Sequence, residues 1–89
     1  MNPGEWYTPE ELQDLPSLGT GQADELVGQT STQRVWYGRT EDGPPVSIET
    51  FNTSTRMWET TYEGSPYRVR INWTDEVEVL RLFDEIEGT

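Results

Sequence analysis

The chain contains no cysteine and no histidine. The first absence excludes disulfides, thiolate zinc sites and cysteine nucleophiles, so the fold has to stand without covalent staples. The second removes the usual general base, the Ser/His/Asp arrangement and most transition-metal sites. Lysine is missing too, and the six basic residues are all arginines: Arg34, Arg39, Arg56, Arg68, Arg70 and Arg81. No stretch approaches the roughly 20 apolar residues of a membrane span. The amino terminus has neither the basic start nor the apolar run of a secretory signal, so cytoplasmic residence is the expectation.

What is present is acidic and aromatic. Seventeen acidic residues against six basic ones give a net charge of −11. Such a surface repels nucleic acid, whose non-specific binding requires cations that displace counterions, and it is repelled by anionic membranes for the same reason. It favours and steers protein partners with a basic face, the alternative being that the charge only maintains solubility. The 89 residues suffice for one domain over 1–89. A domain this small buries only about three-fifths of the surface its unfolded chain exposes, so each large ring counts. Trp6, Trp36, Trp58 and Trp73, with four tyrosines and two phenylalanines, stand out in a chain only 31% apolar.

Thr8-Pro9-Glu10-Glu11-Leu12 has the form of a capping box with proline at the first helical position, predicting a short helix over 9–15 that Pro16 ends. Leu12, Leu15 and Leu18 offer its apolar side, and Trp6 lies where a ring can staple onto the first turn. Ala23 to Val27 reads as a strand, with a helical turn as the alternative. Four runs rich in β-branched and aromatic residues follow at about 33–39, 45–51, 56–62 and 67–73, separated by turn signals, and predict antiparallel strands. Pro44 and Pro45 belong at a strand start or an edge. Alternation in the last run sets Tyr67, Val69, Ile71 and Trp73 towards the core and Arg68, Arg70 and Asn72 away from it. Val46 and Ile48 join the core, with either Val35 and Tyr37 or the face of Trp36. Trp58 and Tyr62 share one face and Met57 lies on the other. From Thr74 or Asp75 onward, Val79, Leu82, Phe83 and Ile86 recur at helical spacing, predicting an amphipathic helix that covers the sheet, with Leu82 and Phe83 against Val69, Ile71 and Trp73.

The expected fold is therefore α+β: a four- or five-stranded antiparallel meander between a short amino-terminal helix and a carboxy-terminal amphipathic helix. If Ala23 to Val27 pairs, five strands can curl into a small SH3-like barrel.

No motif announces catalysis. The carboxylate pairs Glu10/Glu11, Asp24/Glu25, Glu41/Asp42 and Asp84/Glu85 fall in helix starts, turns and a polar helix face, and a chain this short rarely builds the cleft a two-carboxylate hydrolase needs. Glu41-Asp42-Gly43 lacks the alternating ligands and closing glutamate of a calcium loop, and Gly19-Thr20-Gly21 lacks the lysine of a phosphate cradle. No cofactor or metal site is expected. Two surfaces remain as candidates. One is an outer sheet face carrying Trp36, Phe51, Arg68 and Arg70, where aromatics interleaved with arginine anchor a protein. In the bland reading of that face, the amino-terminal segment covers the rings and the arginines pair with Glu49 and Glu59. The other is acidic: Glu78, Asp84 and Glu85, with Asp14, Asp24 and Glu25, set to imitate phosphates.

Leu15-Pro16-Ser17-Leu18-Gly19-Thr20-Gly21-Gln22-Ala23-Asp24-Glu25-Leu26, then Arg34-Val35-Trp36 and Glu41-Asp42-Gly43, resembles small uncharacterised proteins of actinobacteria and their phages. The likeness covers roughly residues 7–62 and carries no active site with it. The all-arginine basic set agrees with GC-rich coding, as in an actinobacterium, its phages or a haloarchaeon. The resemblance implies a phage or mobile-element accessory protein. The functional expectation is a non-enzymatic protein that binds a host or viral protein, in its sharpest form an acidic nucleic-acid mimic that inhibits its target. The alternative is a small structural or assembly subunit of a virion or complex.

Overall fold

The fold was obtained as a computed structural model that describes residues 1–20, 24–38 and 43–81. The capping box forms as its sequence requires: Glu11 N–H donates to the Thr8 hydroxyl at 3.3 Å and Thr8 N–H donates to the Glu11 carboxylate at 3.1 Å. Helix α1 spans Pro9–Gln13. It is shorter than the predicted 9–15 because its end tightens, with Asp14 N–H and Leu15 N–H donating to the carbonyls of Glu11 and Leu12. A residue before proline is pushed out of the helical region, which accounts for Leu15. The staple is made by Tyr7, not Trp6: Tyr7 directly precedes the cap, and it shares one buried cluster with Leu12. Leu18 does not join them and is 60% exposed.

The meander is five-stranded. Strands β1 (Gly19–Thr20), β2 (Asp24–Gln29), β3 (Gln33–Gly38), β4 (Val46–Asn52) and β5 (Met57–Gly64) pair antiparallel in chain order. The sheet does not close into a barrel, since β1 and β5 remain its two edges among the described residues. Ala23 to Val27 resolves as strand from Asp24 on; Ala23 itself lies outside the described residues. Turn chemistry sets the connections. The Thr30 hydroxyl accepts from Gln33 N–H before β3, and the Asn52 side chain accepts from Ser54 and Thr55 N–H after β4. Pro45 stands just before β4 and accepts from Gly38 N–H. A Cβ on Gly38 would lie 2.8 Å from the Pro44 carbonyl oxygen, so this crossing admits only glycine without a shift.

Two bulges determine which side chains face the core. In β2 the register slips between Leu26 and Gly28, so Val27 joins the core cluster while Leu26, opposite Trp36, is buried outside that cluster. In β5, Ile48 pairs with Tyr62 but Glu49 pairs with Thr60, leaving Thr61 as the extra residue. Its hydroxyl lies 3.0 Å from that of Thr50 and 3.4 Å from the Ile48 carbonyl. The extra residue reverses alternation, so Tyr62 packs on the core while Trp58 goes to the other face. The expectation that Trp58 and Tyr62 share a face fails for this reason. Val35, Val46 and Ile48 are buried, with Tyr37 packed beside them, which decides β3 in favour of Val35 and Tyr37.

The carboxy-terminal part departs from expectation. Residues 68–80 form a hairpin, β6 (Arg68–Ile71) with β7 (Val77–Leu80), and no helix begins at Thr74 or Asp75. Asn72 decides the turn: its side-chain oxygen accepts from Thr74 N–H, the Thr74 hydroxyl and Glu76 N–H, and Asp75 adopts φ 63°. Val77, Glu78 and Val79 then follow a period of two, which fits this strand as well as the helical spacing fits a helix. The predicted contacts of Leu82, Phe83 and Ile86 lie outside the described residues. Residues 4–7 flank β6, with Tyr7 and Val69 exchanging backbone hydrogen bonds at 2.8 Å and Gly4 N–H donating to Ile71. Val69 and Ile71 are buried as expected, but Trp73 is 82% exposed and Tyr67 37% exposed. Trp73 sits on the hairpin turn, its ring 2.7 Å from where a Cβ of Gly4 (φ 83°) would stand.

The core thus lies between one face of β2–β5 and a cover made of α1, β6 and β7, with Tyr7, Leu12, Val27, Val35, Val46, Ile48 and Val69 at its centre. Gln33 ties the two sheets, its side-chain oxygen accepting from Val77 N–H at 2.8 Å. Leu12→Ala is expected to cost about 2–5 kcal/mol and to lower the melting temperature by roughly 4–8 °C for each kcal/mol. Leu18→Ala, on an exposed loop, is expected to stay within about 0.5 kcal/mol. Equal effects in thermal unfolding would refute this assignment of the core.

Candidate functional site

Since β3 and β4 turn Val35, Tyr37, Val46 and Ile48 inward, alternation turns Arg34 and Trp36 of β3 and Ser47 and Glu49 of β4 to the outer face. The bulge in β5 adds Trp58 and Thr60. Register makes these neighbours: Arg34 lies opposite Glu49, Trp36 opposite Ser47, and Phe51 opposite Trp58.

Arg34 is the hub. Its guanidinium lies 3.0 Å from the Glu49 carboxylate, with its centre 3.9 Å from the centroid of Trp58 and 5.6 Å from that of Trp36. Glu49 also accepts from the indole N–H of Trp36. Phe51 meets Trp58 edge to face at 5.4 Å, the arrangement favoured by the ring quadrupoles. Each contact is modest, about 0.5–1 kcal/mol for an exposed cation–π pair and more where water is excluded. Together they hold large rings on the face of the sheet opposite the core cluster.

Beside this network is an open recess of about 280 Å³ lined by Asp24, Arg34, Trp36, Ser47, Glu49, Thr60 and Glu63. Asp24, Glu49 and Glu63 are acidic and Arg34 alone is basic. Arg34 and Glu49 largely neutralise each other, so the field of the recess is set by Asp24 and Glu63. Among the described residues neither of these two has an ion-pair partner. No group of three carboxylates among the described residues is close enough to hold a metal ion.

The sequence-predicted residues separate. Trp36 and Phe51 are on this face, as expected, but Arg68 and Arg70 lie on β6 of the second sheet and are not part of it. Arg70 forms an ion pair with Glu78 across the hairpin and lies over Trp6 at 4.4 Å, while Arg68 lies over Tyr67 at 4.9 Å. The bland pairing with Glu49 and Glu59 fails as well, for Glu49 binds Arg34 and Glu59 accepts from Asn52. Nor does the amino-terminal segment cover Trp36, because residues 4–7 are engaged along β6. Of the phosphate-mimicking set, Glu78 is occupied by Arg70, Glu25 is already engaged in an interaction, and Asp84 and Glu85 lie outside the described residues. Asp14 caps the end of α1. Only Asp24 of that set lines the recess. Arg34 as the hub was missed, although its spacing from Trp36 in Arg34-Val35-Trp36 contains the signal. Glu63 and Trp58 depend on the bulge, which no glycine announces.

Comparison of the chain with family models, curated proteins and solved structures found no match in any of the three.

Removal of Glu49 strips Arg34 and the Trp36 indole of their shared acceptor. Since both charged side chains remain about a quarter exposed, water replaces part of the loss. Glu49→Ala is expected to cost about 1–2 kcal/mol in urea unfolding, and Glu49→Gln, which keeps an acceptor for the indole, less than half of that. An Ala variant as stable as the wild type would show that the network contributes nothing.

Proposed function

We propose that the protein is a non-enzymatic binding module that engages a basic surface on a protein partner through the outer face of β2–β5. The observation that carries this reading is the juxtaposition, around the recess, of Asp24 and Glu63, two carboxylates with no ion-pair partner among the described residues, with the half-buried ring of Trp36. Aromatic anchors surrounded by polar groups are what protein interfaces use for affinity, and a net charge of −11 steers a basic partner towards them. The resemblance to small actinobacterial and phage proteins supports placing it among phage or mobile-element accessory proteins whose target is a host or viral protein. Inhibition then follows by occupation of a basic site that the target uses for another anion, nucleic acid included.

Use as an assembly subunit is the second reading, and one observation favours it: β5 is an eight-residue edge strand with no outer neighbour among the described residues. A strand from an adjoining subunit can extend such an edge.

The test is capture of a partner from actinobacterial extracts, followed by association kinetics on the purified pair. The binding reading predicts a basic partner whose association rate falls about tenfold or more as the screening length contracts from about 30 Å at 0.01 M salt to about 8 Å at 0.15 M. Trp36→Ala should abolish capture while leaving the circular dichroism spectrum of the fold unchanged. A concentration-dependent homo-oligomer in sedimentation, with capture unaffected by Trp36→Ala, would transfer the case to assembly.

A further inference from the structure

Resting on that reading, we infer that the recess on the outer face is a receptor for a single arginine side chain of the partner, whose guanidinium stacks beside Trp36 and bridges Asp24 and Glu63.

The argument runs from the shape of the charge. Asp24 enters the recess from β2 and Glu63 from β5, on opposite sides of the strands that carry Trp36 and Ser47; Leu26, Trp36, Ser47 and Glu63 form one row across the sheet. These two carboxylates, without an ion-pair partner among the described residues, are therefore set apart rather than converged, and with Glu49 they form no cluster able to hold a metal ion. A small hard cation needs oxygen ligands within about 2.0–2.6 Å of one point, which separated carboxylates do not provide. A guanidinium is suited to such an arrangement. It is planar, carries five N–H donors in a fixed fork, and stacks on aromatic faces while its edges donate to acceptors on different sides. Ser47 and Thr60 add hydroxyl acceptors to the wall. An ammonium group is a compact point charge whose three donors radiate from a single nitrogen, so it spans separated carboxylates less well and gains less from the indole.

The protein displays the same chemistry internally. Arg34 sits against Trp58 and Trp36 with its charge met by Glu49, and Arg70 sits over Trp6 with its charge met by Glu78. Both are arginine–tryptophan–glutamate assemblies. The recess beside Arg34 has the tryptophan and the carboxylates of a third, without an arginine of its own among the residues that line it save Arg34, whose charge Glu49 already meets.

The experiment is a titration of the ¹⁵N-labelled protein with N-acetyl-arginine amide, the citrulline analogue and N-acetyl-lysine amide, at constant ionic strength. The expected result is saturable shifts, confined to the Trp36 indole N–H and the amides of Asp24, Ser47 and Glu63, with the arginine probe. The lysine probe should bind at least several-fold more weakly, and citrulline, which keeps the shape and loses the charge, should give none. Asp24→Asn combined with Glu63→Gln should abolish the arginine shifts without altering the remaining spectrum. Equal binding of lysine and arginine, or shifts that survive the double substitution, would overturn the inference. Arginine shifts centred elsewhere on the acidic surface would overturn this site yet leave the basic-partner reading standing. If in addition neither a tetra-arginine nor a tetra-lysine peptide binds anywhere at low salt, the basic-partner reading falls with it.

Discussion

The guanidinium of Arg34, held by Glu49 between two indoles, is the interaction on which the exposed side of this small domain depends. A chain with so little aliphatic material commits most of it to one face of its sheet. The valines and Ile48 go to that face, covered by α1, β6 and β7, and the other face is left with Trp36, Phe51 and Trp58. Rings of that size invite non-specific association when bare. Arginine covers them as an aliphatic residue cannot, because it presents a flat cationic face to the ring and leaves its outer edges hydrated. Glu49 then fixes the guanidinium in place and keeps the surrounding surface from becoming basic.

The consequence for the proposed recognition is electrostatic. With its one arginine paired locally to Glu49, the recess takes its charge from Asp24 and Glu63, which line it together with Trp36. In the binding mode proposed above, the remaining excess acidity of the chain draws a basic partner in, while the recess supplies the local geometry that a general field does not.

Much of this was legible in the order of residues. The capping box before Leu12, the alternation of Val46 and Ile48 against Ser47 and Glu49, and the turn residues Asn52 and Pro45 each have a local physical meaning that tertiary structure left intact. What was not legible depends on partners distant in sequence. The extra residue Thr61 is accommodated by Thr50 and the Ile48 carbonyl across the ladder, and nothing within Glu59-Thr60-Thr61 marks it as a bulge. The segment 75–81 satisfies helical and strand periods alike, and Asn72, by closing the turn with three hydrogen bonds, decides between them. Arg68 and Arg70 alternate with core residues just as Arg34 does, but on a different sheet, and alternation alone cannot say which sheet a strand joins.

Since the bulge in β5 both sends Tyr62 into the core and brings Trp58 over Arg34, proton–proton proximity in solution tests the account most directly. Nuclear Overhauser spectra should connect the Trp58 ring to the Arg34 δ-methylene protons, shifted upfield by the ring, and should connect the Tyr62 ring to the methyls of Val46 or Ile48. Contacts from the Trp58 ring to the core methyls of Val35, with none to Arg34, would place Trp58 and Tyr62 on one face and contradict the proposed site.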